Sequence, residues 1–216
     1  MTGPYPPVLF RDRVDAGRKL GQRLADLHLR NPLILAIPSG GVPVGKEIAA
    51  ILNAPFDVII VRKIQYPWTT EAGFGAVASD GTSYLGPGAA TLSPAVLEAQ
   101  VRKAQRQVEH RERVFRQGTG PLAVTGKTVV LTDDGLATGS TMLAAVRSVR
   151  KRDPDEVVVA VPTTSGGAVE LLRAEVGRLV SLYVHPKHLP FAVAASYEHW
   201  HDLTEQEVES YLSQSA

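Results

Sequence analysis

The stretch Val129-Val130-Leu131-Thr132-Asp133-Asp134-Gly135-Leu136-Ala137-Thr138-Gly139-Ser140-Thr141 decides how this chain reads. An apolar run ends in two adjacent carboxylates. A loop of small and hydroxyl residues follows, and Met142, Ala145, Val146 and Val149 then share one face of a helical pattern. A strand that stops at a Gly/Thr/Ser loop opening a helix aims unpaired backbone N–H groups and the positive end of a helix dipole at one point. That arrangement binds phosphate. The carboxylates beside it repel phosphate and suit hydroxyl donors or a metal. A phosphate and a diol held side by side describe a ribose 5-phosphate. The plainer alternative is an acidic strand end whose helix is capped by Thr138 or Ser140.

Other phosphate loops do not fit. A P-loop needs a lysine after its last glycine, and Gly139 is followed by Ser140. A dinucleotide fingerprint places its acid well downstream of the glycines rather than directly before them. The string instead resembles the PRPP-binding signature of type I phosphoribosyltransferases at essentially every position. That resemblance implies an α/β fold with an open, mostly parallel sheet, helices on both faces and a small hood. It implies transfer of the 5-phosphoribosyl group from PRPP to a nitrogen acceptor, a purine or pyrimidine base, with release of pyrophosphate. Ala137, Thr138, Gly139, Ser140 and Thr141 would hold the 5-phosphate. Asp133 and Asp134 would fix the ribose hydroxyls and lie near Mg2+, itself held mainly by PRPP and water.

The rest of the chain supports an α/β reading. Asp12 suits an N-cap before a helix with Ala16, Leu20, Leu24 and Leu27 on one face. Leu33 to Ile37 is a buried strand, and Pro43 sits in the first turn of the helix that follows. A second strand is expected at Val58 to Val61, ending at Arg62-Lys63. The Gly/Pro/Thr-rich segment 64–92 is expected to be a flexible loop with a hairpin turning at Asp80-Gly81. Ser93-Pro94 opens a long charged helix to about residue 116. Further strands are expected at Val157 to Val161 and Leu179 to Val184, with a short helix through Val169 and Leu172 between them. Thr204 and Glu207 form a capping box for a last helix. One domain, 1–216, is expected, with the hood at about 185–203.

Two more segments resemble the same enzymes. Ile37-Pro38-Ser39-Gly40-Gly41-Val42-Pro43 resembles their pyrophosphate loop, with Ser39, Gly40 and Gly41 as pyrophosphate ligands. Many relatives carry Arg where Ser39 stands. Val61-Arg62-Lys63 resembles the basic element of orotate and adenine phosphoribosyltransferases, so Arg62 and Lys63 join Asp133 and Asp134 as catalytic candidates. Residues 64–84 occupy the place of the mobile loop, yet carry no Lys, Arg or His, only Glu71 and Asp80. In the hood, Phe191, Tyr197 and Trp200 are candidates for stacking on the acceptor base. His185, His188, His199 and His201 stand at metal-like spacings, although scattered neutral imidazoles are the plainer reading. The overall order, including the tail from Phe191 to Val208, resembles a phosphoribosyltransferase-like subgroup whose motifs do not define its substrates.

Composition adds bounds. At 216 residues with net charge +1 and no cysteine, the chain suits one α/β core without disulfides or thiolate chemistry. No apolar run nears about 18 residues, and no nucleic-acid or membrane partner is expected. A cytoplasmic protein is expected, and a homodimer is compatible with this reading. The rival from another class is a PRPP-binding regulatory or sensing protein without transferase activity, which Ser39 and the charge-poor loop favour.

Overall fold

In this computed structural model residues 7–69 and 72–213 are described. Asp12 accepts from the Asp15 N–H at 2.8 Å and starts helix α1 (Arg13–Ala25). Strand β1 (Pro32–Ala36) runs into helix α2 (Gly41–Leu52), and β2 (Phe56–Val58) returns parallel to β1. Strands β3 (Val61–Gln65), β4 (Gly73–Ala78) and β5 (Ser83–Leu85) then form a separate antiparallel sheet. Helix α3 (Pro94–Arg116) leads to β6 (Thr128–Thr132), α4 (Ser140–Arg150), β7 (Glu156–Ser165), α5 (Gly166–Arg173), β8 (Arg178–His185) and α6 (Glu205–Ser213).

The main sheet has the order β2-β1-β6-β7-β8, with every pairing parallel. Successive strand residues alternate between its faces. Ile34, Val130, Val158 and Ala160 pack on Leu20, Leu24, Val44 and Ile48 of α1 and α2. Leu33, Leu35, Val129, Leu131, Val157 and Val159 pack on the α4 and α5 side. Both faces are therefore covered, as a parallel sheet requires. The order in which strands are added reverses between β1 and β6. In such a sheet, ligands bind in the crevice beyond the carboxyl ends of the strands flanking that reversal.

Two expectations need correction. Arg62 and Lys63 do not end a strand of the main sheet. The parallel strand stops at Val58, and both basic residues lie inside β3 of the antiparallel sheet. Most of 64–92 is also folded rather than loop. In β4, Phe74 and Val77 pack toward α3 residues Ala104 and Val108, while Ala76 and Ala78 pack toward α4. A strand buried on both faces tolerates the small residues of Gly-Phe-Gly-Ala-Val-Ala, so it reads as Gly-rich loop.

The hairpin does turn at Asp80-Gly81, with Gly81 at φ +80° and Asp80 accepting from the Thr82 N–H at 2.9 Å. Lys151 Nζ donates to Thr82 Oγ1 at 2.7 Å, so this turn sits beside the C-terminal end of α4. That is about 15 Å along the helix from Ser140. Residues 66–72 link β3 to β4. Among them Thr70 and Glu71 lie outside the described residues.

Candidate functional site

Two loops meet at the switch point. The loop after β6 is held from below, with the Leu136 N–H donating to Thr163 O at 3.0 Å and Ser165 Oγ to Ala137 O at 2.6 Å. Gly139 then takes φ +78°, a left-handed turn that swings the chain into α4. Its hypothetical Cβ would lie 3.2 Å from Ala168 of α5. Among the described residues nothing accepts from the Ala137, Thr138 or Gly139 N–H groups, and α4 has no acidic residue in its first turn. Ala137 and Thr138 are exposed, and Thr138 Oγ1 donates to Ser140 Oγ at 3.3 Å. The helix start is thus open to an external acceptor.

The loop after β1 approaches from the other side. The Gly41 N–H donates to Ile37 O at 3.1 Å and the Val42 N–H to Ser39 O at 3.2 Å. Among the described residues nothing accepts from the Ser39 and Gly40 N–H groups. Gly40 permits the close approach of the two loops, because a Cβ there would lie 1.8 Å from Asp134 Oδ2. Gly40→Ala should therefore displace the Asp134 carboxylate. We expect a loss of about 1–3 kcal/mol in thermal or denaturant unfolding, the usual cost of overpacking a tight site.

Between the loops stands the acid pair. Asp134 Oδ2 accepts from Arg13 Nε at 2.9 Å, with the Arg13 side chain 8% and the Asp134 side chain 14% exposed. Arg13 Nη1 also donates to His201 O at 2.9 Å, and its guanidinium carbon lies 3.9 Å from the Trp200 ring centre. Asp133 Oδ1 accepts from the Asp134 N–H at 2.9 Å. Burial, and then the neighbouring Asp134 charge, push the Asp133 carboxyl well above its ordinary range. Burial also raises Asp134, opposed by the Arg13 charge and hydrogen bond. The two carboxylates therefore play unequal parts. Arg13 holds the Asp134 carboxylate, whereas among the described residues no cation pairs with Asp133.

The hood segment closes over this pair. The Leu9 and Phe10 N–H groups donate to Ser196 O, and the Glu198 and His199 N–H groups to Phe10 O and Arg11 O, so residues 9–11 are stitched to the hood. Tyr197 Oη donates to Asp134 O at 2.6 Å, and burial raises its hydroxyl so that it stays a donor. Its ring is buried against Phe10 and Trp200, so Tyr197 cannot serve as a stacking platform for a base. Trp200 already covers Arg13. Phe191 is half-buried, with its ring centre 5.5 Å from that of His185. His185 is buried while His188, His199 and His201 are exposed, and among the described residues no group of three metal-ligating side chains converges.

Arg62 and Lys63 part company. Neighbours in a strand point to opposite faces. Arg62 Nε reaches Gln107 Oε1 of α3 at 3.4 Å, whereas Lys63 is exposed with its stem over Gly73. They cannot face one pyrophosphate together. The cation that does touch the 38–41 loop is Arg111, whose Nη1 donates to Pro38 O at 3.1 Å.

Sequence reading missed both Arg13 and Arg111. Arg13 carried a signal, since a cation at the first position of a helix opposes the helix dipole and calls for a partner elsewhere. Arg111 carried none, because it lies in a helix rich in both charges.

Comparison with known proteins agrees with this geometry. The family model described as phosphoribosyl transferase domain matches residues 13–196. Two Mycobacterium tuberculosis proteins, from strains CDC 1551 and H37Rv and each named "Putative phosphoribosyl transferase", are 37% identical over 210 residues. The match covers 96% of this chain and 47% of theirs, so the chain spans about half the length of these relatives. The crystal structure of TT1426 from Thermus thermophilus is 38% identical with a TM-score of 0.78, covering 94% of this chain and 97% of that one. The AQ2163 protein from Aquifex aeolicus shares the fold alone, at 15% identity and a TM-score of 0.51, over 81% of this chain and 76% of its own. With the matched region running from the start of α1 through both loops into the hood, the chain belongs to the phosphoribosyl transferase domain family.

Proposed function

We propose that the chain transfers the 5-phosphoribosyl group of PRPP to a nitrogen acceptor, a purine or pyrimidine base, and releases pyrophosphate. One observation carries this reading: two sets of unclaimed N–H groups, at Ala137–Gly139 and at Ser39–Gly40, flank one acid pair. The first set and the α4 dipole suit the 5-phosphate. The second set and the start of α2 suit the pyrophosphate, with Arg62 and Arg111 behind the loop adding positive potential.

As the pyrophosphate leaves, positive charge grows at the anomeric carbon. Asp133 accepts the ribose hydroxyls and holds that carbon between acceptor and leaving group, while Arg13 fixes Asp134 beneath it. Asp133 and Asp134 are too few to cage a metal, and Arg13 already takes one of them. That donor set fits Mg2+ carried in by the substrate, with Asp133 nearby, where the ion would neutralise the departing pyrophosphate.

A pyrophosphate-release assay with PRPP, Mg2+ and a panel of bases tests the proposal. Release with one acceptor is the expected result. Tight PRPP binding without release across the panel would replace it with the sensing role that the uncharged Ser39 favours.

A further inference from the structure

A cavity of about 350 Å³ opens on the outer side of the 38–41 loop, between β3 and α3. Residues 103, 106, 107, 110 and 111 follow the three-and-four spacing that places them along one stripe of α3. Lys103, Arg106, Gln107, His110 and Arg111 all line the cavity, with Arg62 arriving from β3 and Glu205 from α6. Elsewhere on α3, Arg102 pairs with Glu98 and Arg116 with Glu112 and Asp57. On the cavity side the cations outnumber the acid.

Among the described residues Glu205 is the one carboxylate on the wall, shared by His110 at 3.1 Å and Arg111 at 3.8 Å. Among the described residues Lys103 and Arg106 have no ion-pair partner. Burial and the Arg62 charge together lower the Arg111 guanidinium to about 10, as expected of like charges held together without enough counter-charge. Four cations facing one acid across a concave surface make a focused positive field.

We infer that this cavity is a second anion site, built for a condensed phosphate, separate from the ribose 5-phosphate site. Guanidinium groups take phosphate oxygens two at a time, and Lys103 adds a point charge at the mouth. Volume and charge suit a di- or triphosphate group, either free or as the tail of a nucleotide. The cavity shares a wall with the proposed pyrophosphate loop, because Arg111 lines it and also holds Pro38 O. The inference does not depend on the phosphoribosyl reading.

Calorimetric titration of inorganic tripolyphosphate, and separately of ATP, into the full chain tests it with the double variant Lys103→Gln/Arg106→Gln. Both side chains are exposed, so the fold should survive, and an unchanged melting temperature verifies that. We expect wild type to bind tripolyphosphate and the variant to bind it about tenfold or more weakly, with PRPP affinity altered less than about twofold. Tighter binding of ATP would identify a nucleotide tail as the source, and equal binding a free polyphosphate. Absence of tripolyphosphate binding, equal affinity in the two proteins, or parallel loss of PRPP affinity overturns the inference. Wild type that binds tripolyphosphate but not PRPP would leave the anion site standing and remove the phosphoribosyl proposal instead.

Discussion

Arg13→Met should cost roughly 3–5 kcal/mol of stability, because it strands the Asp134 carboxylate in a site from which water is largely excluded. For a domain of this size that corresponds to a fall of roughly 10 °C in melting temperature. Packing of the Arg13 stem and its stacking on Trp200 are lost in the same substitution, so the variant alone does not isolate the charge. The double variant Arg13→Met/Asp134→Asn does. If the ion pair is the main contribution, adding Asp134→Asn should restore about half or more of the lost stability. A double variant no more stable than Arg13→Met would show that the arginine acts through packing.

Asp133→Asn should separate stability from binding. A carboxylate whose folded value is raised contributes stability that is fully present below its ordinary value of 3.8 and is lost as pH rises through the raised value. Above the raised value, wild type without ligand has therefore lost that contribution. Asparagine cannot ionise and can still accept from the Asp134 N–H. The melting temperature of the unliganded variant should then exceed wild type by a few degrees near pH 7, with the gap closing toward pH 4. PRPP affinity should fall roughly 10- to 100-fold, since a charged acceptor to the ribose hydroxyls contributes about 1.5–3 kcal/mol. A variant less stable than wild type at every pH would show that the charge is satisfied by its surroundings and not held in reserve for a ligand.

What the sequence revealed and what it hid follow from how far apart the partners lie. The strand, acids and loop at 129–141 are contiguous, and so are Pro38 to Gly41 and the Thr204–Glu207 box. In that box the Thr204 N–H donates to Glu207 Oε2 and the Glu207 N–H to Thr204 Oγ1. Local chemistry of this kind is written in order along the chain. Arg13 meets Asp134 across 121 positions and Tyr197 meets it across 63, so neither contact leaves a pattern in any window. Tyr197 and Trp200 were legible as hood aromatics, yet packing turned one into a core residue and the other into the cover of a guanidinium. The long helix reads as a solvated surface because Glu is interspersed with Lys and Arg along it. Only the stripe at 103, 106, 107, 110 and 111, taken apart from the total charge, separates cations that face a cavity from cations that face water.

In the proposed function the carboxyl edge divides into a phosphate loop and an acid pair that together hold PRPP. A crystal structure with PRPP and Mg2+ bound tests it most directly. We expect the 5-phosphate within about 2.7–3.2 Å of the Thr138 and Gly139 N–H groups and the ribose hydroxyls on Asp133, with Asp134 still on Arg13. PRPP seated in the α3 cavity, or the 137–141 loop closed by its own side chains with no phosphate on it, would contradict the account.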